Sequence, residues 1–443
     1  MPSTPPPVVS FREALRFWLK LGLISFGGPA GQIAIMHEEL VEKRRWISEA
    51  RFLHALNFCM VLPGPEAQQL ATYIGWLLHR RLGGLVAGGL FVLPAFVLFL
   101  LLGWVYMAWG QLPAVAAVLY GVRPAVVAIV FCAALRIGKK ALKNAVLWGI
   151  AAAALLAVAV FQVGFPWIVA VAALIGVAGG RIRPALFVIG GGHQAGGAHQ
   201  PALIDDDSPI PEHARISPRR IAAVLLGGLG LWAALMGTLT AVFGAAAPYT
   251  RMGWFFSKAA LLTFGGAYAV LPYVFQGAVV DQHWLTPAQM LDGLALGETT
   301  PGPLIMVVTF VGFVGGWTHS LLASPLASAT LAAALVTFVT FLPSFVFIFL
   351  GGPLVEASRQ ELRLTAPLTA ITAAVVGVIA NLGVFLALKV FWPQGFGMGH
   401  PDAVAVLLCG FALVAIQRFS VGMPTVIGAA ALAGLIVKQV AGL

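Results

Sequence analysis

The chain has 443 residues, 60% of them apolar and only 9% charged, where an ordinary soluble domain carries roughly 25% charged residues. Mean hydropathy is +0.94, and apolar stretches of about 20 residues recur along nearly the whole length, which excludes a soluble enzyme and leaves an integral membrane protein. Lys and Arg number 26 against 16 Asp and Glu, a net +10, but the cations sit in short blocks beside apolar segments, where they orient a membrane chain and do not bind nucleic acid.

The opening MPSTPPPVVS has no short apolar core with a small-residue cleavage site, so no removable signal peptide is expected. Residues 11–180 form a first repeat. Its segment from Leu15 to Met36 is interrupted by Phe26-Gly27-Gly28-Pro29, and its segment from Ala50 to Leu78 is broken at Pro63-Gly64-Pro65. Residues 181–220 are Gly-, His- and Asp-rich and read as an exposed linker. His193, His199 and His213 in it are weak candidates for a metal site, a tether being the plainer reading. Residues 221–243 form an extra apolar span, and 254–441 a second repeat. Phe26 and Phe264, Trp46 and Trp284, Pro63 and Pro301 are each 238 apart (264 − 26, 284 − 46, 301 − 63), and Leu93-Pro94 matches Leu342-Pro343 at 249 (342 − 93).

Basic loops at Lys43 to Arg51, Arg80 with Arg81, and Arg136 to Lys143 match loops of the second repeat nearly free of Lys and Arg. The charge-free loops near Trp109 and Gly164 match loops bearing Arg359, Arg363 and Arg418. By the positive-inside rule the repeats are inverted, with a cytoplasmic N-terminus and an external C-terminus. The expected fold is an all-α polytopic membrane protein of two inverted homologous repeats with broken or re-entrant helices. It makes about 9 spans if the broken segments re-enter and about 13 if they cross.

A helix broken at membrane depth must hide its freed backbone groups in protein or turn them to a polar cavity, so the breaks are the candidate site. Gly27, Gly28, Gly265 and Gly266 let backbone amides approach a ligand, and helices starting after Gly64 and Gly302 offer amides and a positive dipole end, all suited to an oxyanion. The bland alternative is close helix packing through small residues. Ionisable residues in apolar runs extend the list. Lys20 and Lys258 share one repeat position and can supply paired charges or snorkel; Arg123 lies mid-segment, where its guanidinium can hold an oxyanion or pair with Glu66. Glu66 and Glu298 flank the Pro-Gly-Pro breaks and are candidate proton sites, while Gln32, Gln69, Thr299 and Thr300 can add neutral donors.

Phe26-Gly27-Gly28-Pro29-Ala30-Gly31-Gln32, Trp46-Ile47-Ser48 and Leu62-Pro63-Gly64-Pro65-Glu66-Ala67-Gln68-Gln69-Leu70-Ala71 resemble the first-half signature of the chromate ion transporter family, and Thr263-Phe264-Gly265-Gly266 with Thr299-Thr300-Pro301-Gly302-Pro303 resemble its second. The resemblance covers about residues 12 to 440. It implies a long-chain bidomain member that exports chromate across the bacterial inner membrane, driven by the membrane potential or the proton gradient, with sulfate as an isosteric competitor. No cofactor and no metal are expected, and Cys59, Cys132 and Cys409 show no CxxC spacing. The partners expected are a chromate- or sulfate-like dianion and the lipid bilayer, with homo-oligomer formation left open. An anion channel with the same cradle is the near alternative and an intramembrane enzyme acting on a phosphorylated lipid the distant one; no HExxH, GxSxG or P-loop pattern supports the latter.

Overall fold

The computed structural model describes residues 8–26, 28–110, 112–187, 201–206, 208–209, 211–358, 365–395 and 400–440. Gly27, His193, His199, Arg359, Arg363 and the C-terminal Leu443 lie outside the described residues. Among the described residues the chain is helical, with a single isolated bridge between Ile47 and Ile204.

The first repeat comprises α1 (Phe11–Ile24), α2 (Gly28–His37) running into a π-helical turn (Glu38–Lys43), α3 (Glu49–Val61), α4 (Glu66–Trp109), α5 (Pro113–Ala141), α6 (Ala145–Ala159) and α7 (Phe165–Ile182). After α8 (Pro218–Phe243), the second repeat follows the same order. It comprises α9 (Pro248–Leu261), α10 (Ala267–Phe275) with a π-helical turn (Gln276–Asp281), α11 (Pro287–Thr299), a 3-10 turn (Leu304–Met306) leading into α12 (Val307–Thr318), α13 (Pro325–Ser358), α14 (Thr365–Phe391), α15 (Ala403–Phe419) and α16 (Met423–Val440).

The duplication extends to backbone detail. Both π-helical turns sit at the 238-residue offset (276 − 38), as do the left-handed residues Arg45 and His283 (283 − 45), both at φ 52°. The helix caps repeat too: Ser48 Oγ accepts from the Arg51 amide at 3.3 Å, and Thr286 Oγ1 from the Gln289 amide at 3.2 Å. In between, the Trp46 amide donates to Leu40 and the Trp284 amide to Ala278, each at 2.8 Å.

The segments on either side of the four breaks double back. The helix α4 is broken at His79 and Arg80, whose dihedrals are non-helical, and Gly75 before the break lies against Gly83 and Ala87 after it. Arg51 of α3 and Tyr73 of α4 meet on the same Glu356 carboxylate, so α3 and the first part of α4 run antiparallel on either side of Pro63-Gly64-Pro65. In the second repeat Gly297 faces Leu304 and Gly293 faces Phe310, which makes α11 and α12 antiparallel in the same way. Arg44 reaches Glu13 and Phe17, and Phe256 stacks on Trp284, so the segments broken at Phe26 and Phe264 also return to where they started.

The longer helices interlock the repeats. From the first repeat, α5 packs against α14, α15 and α16; from the second, α14 packs against α5, α6 and α7. Small residues permit these crossings: a Cβ on Gly121 would stand 2.0 Å from the Ala430 carbonyl oxygen, and one on Gly377 2.0 Å from that of Ala151.

The linker expectation is corrected in part. Leu203 and Ile204 donate to the Arg45 and Trp46 carbonyls, Ser48 donates back from its amide to Ile204, and its hydroxyl reaches Asp206 at 2.5 Å. Ala202 and Ala214 are buried, and His213 Nε2 bonds the Trp76 carbonyl at 2.9 Å. The Gly-His composition averaged over the linker hid this short apolar strand-like stretch, which docks on the first repeat. His213 is occupied there by a backbone bond, and among the described residues no group of His, Cys, Asp and Glu is placed to hold a metal.

Candidate functional site

The tips of the four hairpins meet. The Gly64 amide donates to the Thr263 carbonyl at 2.7 Å, and the Gly302 amide to the Ser25 carbonyl at 2.8 Å. Ser25 and Thr263, like Gly64 and Gly302, are repeat equivalents (263 − 25, 302 − 64), so each break of one repeat binds a break of the other. Such reciprocal contacts are those of a two-fold relationship. Gly64 and Gly302 need their positive φ, +127° and +103°, and leave no room for a side chain: a Cβ would stand 2.4 Å from Ser344 Oγ at Gly64 and 2.5 Å from Ala95 Cβ at Gly302. Ala95 and Ser344 follow the repeated prolines Pro94 and Pro343, so the two sites are lined alike.

The polar groups at the tips divide by sign. Hydroxyls are spent on the carbonyls that end the incoming helices: Ser25 on Leu21 (2.6 Å), Thr263 on Ala259 (2.7 Å), Thr299 on Ala295 (3.0 Å) and Thr300 on Leu296 (2.8 Å). That offsets the negative helix ends and leaves Thr299 and Thr300 as positioning groups, not free donors. The outgoing helices start uncapped: Pro65, Gly266 and Pro303 occupy N-cap positions and none offers a side-chain bond. The amides of the first turns of α4, α10 and the Leu304–Met306 segment thus keep the positive end of the dipole. Gly28 begins α2 at φ +68° with open space where a Cβ would stand, and Gly265 lies near Thr372.

Gln32 crosses between repeats, its Nε2 donating to the Gly302 carbonyl at 2.6 Å and the Ser25 carbonyl at 3.3 Å. Gln69 Nε2 donates to the Pro63 carbonyl at 2.8 Å, which fixes the break from within. The Oε1 atoms of Gln32, Gln68 and Gln69 are buried without a protein partner, a state that costs about 1–3 kcal/mol unless water or a ligand hydroxyl donates to them.

Glu66 and Glu298 are half-buried at the tips. Glu66 directs Oε1 at Gly266, 3.8 Å from where a Cβ would stand, and Glu298 accepts a bond from Tyr268 of α10. Arg123 does not pair with Glu66. It makes a two-point bond to Asp292 of α11, Nε to Oδ1 at 2.9 Å and Nη2 to Oδ2 at 3.0 Å, and Asp292 also accepts from Tyr106 at 2.8 Å. The burial argument located Arg123 correctly inside the protein but left out its partner. Asp292 has His54 as its repeat equivalent (292 − 54 is 238), so the symmetry gave no sign of it; a carboxylate in the apolar run after Trp284 was the available signal.

Lys20 and Lys258 are exposed on α1 and α9. The structure therefore corrects their expected place beside a dianion: both sit on the outer face, as snorkelling side chains do. Arg51, Tyr73 and Glu356 form a further buried cluster absent from the sequence reading, signalled only by a Glu at the end of the apolar α13.

A family profile described as chromate transporter matches residues 12–177 and 250–435, once in each repeat. A chromate transport protein of Pseudomonas aeruginosa is 34% identical over 98% of this chain and 94% of its own length. One of Cupriavidus metallidurans is 29% identical over 97% and 94%. A shorter uncharacterized transporter of Bacillus subtilis is 29% identical over 30% of this chain and 68% of its own length, a match confined to 134 residues. No solved structure matches the chain significantly. Paired profile matches, near full-length similarity and the duplicated breaks agree, and this chain belongs to the chromate transporter family.

Proposed function

We propose that the chain is a secondary transporter that exports chromate across the bacterial inner membrane, driven by the membrane potential or the proton gradient. The observation that carries the reading is the reciprocal pairing of the broken segments, Gly64 with Thr263 and Gly302 with Ser25, which joins uncapped helix starts of both repeats while hydroxyls bond the carbonyls that end the incoming helices. In a low-dielectric interior such fixed partial charges favour a dianion over water-like surroundings. Sulfate, with the same charge and shape, competes for the site. Among the described residues six helices are long and apolar enough to cross a membrane, α4, α5, α7, α8, α13 and α14, and counting the shorter apolar α6, α15 and α16 with them brings this reading to nine crossings. An odd number of crossings sets the termini on opposite sides, and the basic Lys140 loop, read as cytoplasmic by the positive-inside rule, gives the inside to the N-terminus.

Gly28, Gly64, Gly265, Gly266 and Gly302 supply the backbone of the cradle, with Gly27 as the equivalent of Gly265, and Gln32 and Gln69 brace it. Glu66 and Glu298 exchange the coupling proton. Arg123, expected to bind the dianion directly, is held by its two-point bond to Asp292 and stands outside this set. Counterflow of labelled chromate against sulfate in proteoliposomes, with and without an imposed potential, tests the reading. Saturable exchange that responds to potential is expected, whereas unsaturable conductance without exchange identifies a channel.

A further inference from the structure

Two largely buried clusters stand at similar places on the two repeats, which the inverted reading of the repeats puts toward opposite ends of the molecule. One joins Arg123 of α5, Asp292 of α11 and Tyr106 near the end of α4; the other joins Arg51 of α3, Glu356 near the end of α13 and Tyr73 of α4. Each ties the first half of a Pro-Gly-Pro hairpin to a long helix of the other repeat. The repeat places Asp292 opposite His54, one helical turn from Arg51, and Tyr106 opposite Val355, the neighbour of Glu356 (355 − 106 is 249). The same junction is thus built twice from an arginine, a carboxylate and a tyrosine, with the charges dealt differently. In both, the arginine is the wetter partner: side-chain exposure is 32% for Arg123 against 0% for Asp292, and 13% for Arg51 against 5% for Glu356.

We propose that these clusters are opposed latches that close the two ends of the transport path in turn, Arg51–Glu356 at the cytoplasmic end and Arg123–Asp292 at the external end. The inference rests on the reading of the hairpin tips as the transport site, because each latch holds a hairpin whose tip is there. A buried ion pair is expensive to break into dry protein, but separating it into water returns solvation to both charges. A pair that becomes wet only when its own end opens therefore gives two discrete states, shut or open. Both pairs are formed here, which under the proposal is the state with both ends shut. An anion at the tips that draws the hairpin toward one face strains the opposite latch, and alternation follows if only one latch releases at a time.

The test uses the full-length transporter with Thr299→Cys beside the second break as a reporter, labelled by a membrane-impermeant maleimide from either side in oriented vesicles. Cys59, Cys132 and Cys409 are buried, so background labelling is low. Arg123→Gln with Asp292→Asn is expected to raise labelling from the external side several-fold and leave cytoplasmic labelling unchanged or lower. Arg51→Gln with Glu356→Gln is expected to do the reverse. Should either double variant fail to fold, Tyr106→Phe and Tyr73→Phe remove one bond each without stranding a charge, and smaller shifts in the same opposite directions are expected. Equal changes from both sides, or none in folded protein, overturn the latches. Chromate protection of the reporter reads the site separately: side-selective labelling without protection leaves the latches standing and removes the anion from the tips.

Discussion

The Gly64 amide and the Thr263 carbonyl, 2.7 Å apart, join a break of one repeat to a break of the other. The bond is repeated by Gly302 and Ser25 at 2.8 Å. Each is a backbone bond, so no side-chain substitution removes it directly. Each is available only because the donor is a glycine in a region that other residues enter at a cost.

Gly64→Ala and Gly302→Ala are therefore expected to be severe. Backbone strain costs about 1–3 kcal/mol and the forced displacement of Ser344 or Ala95 typically another 1–3 kcal/mol. Gly28→Ala meets nothing within 4 Å and carries only the strain of its φ of +68°. Thermal unfolding in detergent should rank Gly28→Ala well above the other two, and transport should follow the same order.

Arg123→Gln strands the Asp292 carboxylate, which is fully buried, and loss of one partner of a buried pair costs about 3–5 kcal/mol. Arg123→Gln combined with Asp292→Asn should recover most of that stability. A double-mutant cycle on unfolding measures the coupling; additive losses would show that the pair is not the unit described.

Lys20→Ala and Lys258→Ala, alone or together, are expected to leave the chromate KM unchanged, because both ammonium groups lie on the outer face of the protein. Uptake into everted vesicles across a range of chromate concentrations checks this.

Docking of the linker is expected to weaken in acid. His213 has its pKa held below the usual 6.5 by partial burial against Trp76, with Arg80 and Arg220 acting in the same direction. The docked state prefers the neutral ring. Its contribution is complete above about 6.5, the undocked value, and falls as pH drops through the lower docked value. Protease cleavage within residues 201–216 should quicken below pH 6.5 in the native chain and show less of this dependence in His213→Gln.

Much of this was legible in the residues. The duplicated Phe-Gly-Gly, Trp and Pro-Gly-Pro located the breaks, and their common offset predicted equivalent halves, which the π-helical turns and the left-handed Arg45 and His283 repeat in the backbone. The meeting of Gly64 with Thr263 was legible only as convergence, since a backbone bond leaves no mark on composition. Asp292 and Glu356 were missed because their partners, Arg123 and Arg51, lie in the other repeat and their own equivalents, His54 and Met107, are not acidic. Lys20 and Lys258 misled for the opposite reason. Equivalence under the repeat places two residues alike but does not say whether they face inward, and helical facing put both on the outside.

The central claim is that the anion binds where the four tips meet. Chromium scatters anomalously, so diffraction from crystals grown with chromate near the chromium absorption edge locates the ion without reference to any variant. The account predicts one strong peak among Ser25, Gly64, Glu66, Thr263 and Gly302. A peak only in the surface pocket lined by Arg81, Arg215 and Arg220, with the tips empty at saturating chromate, would contradict it.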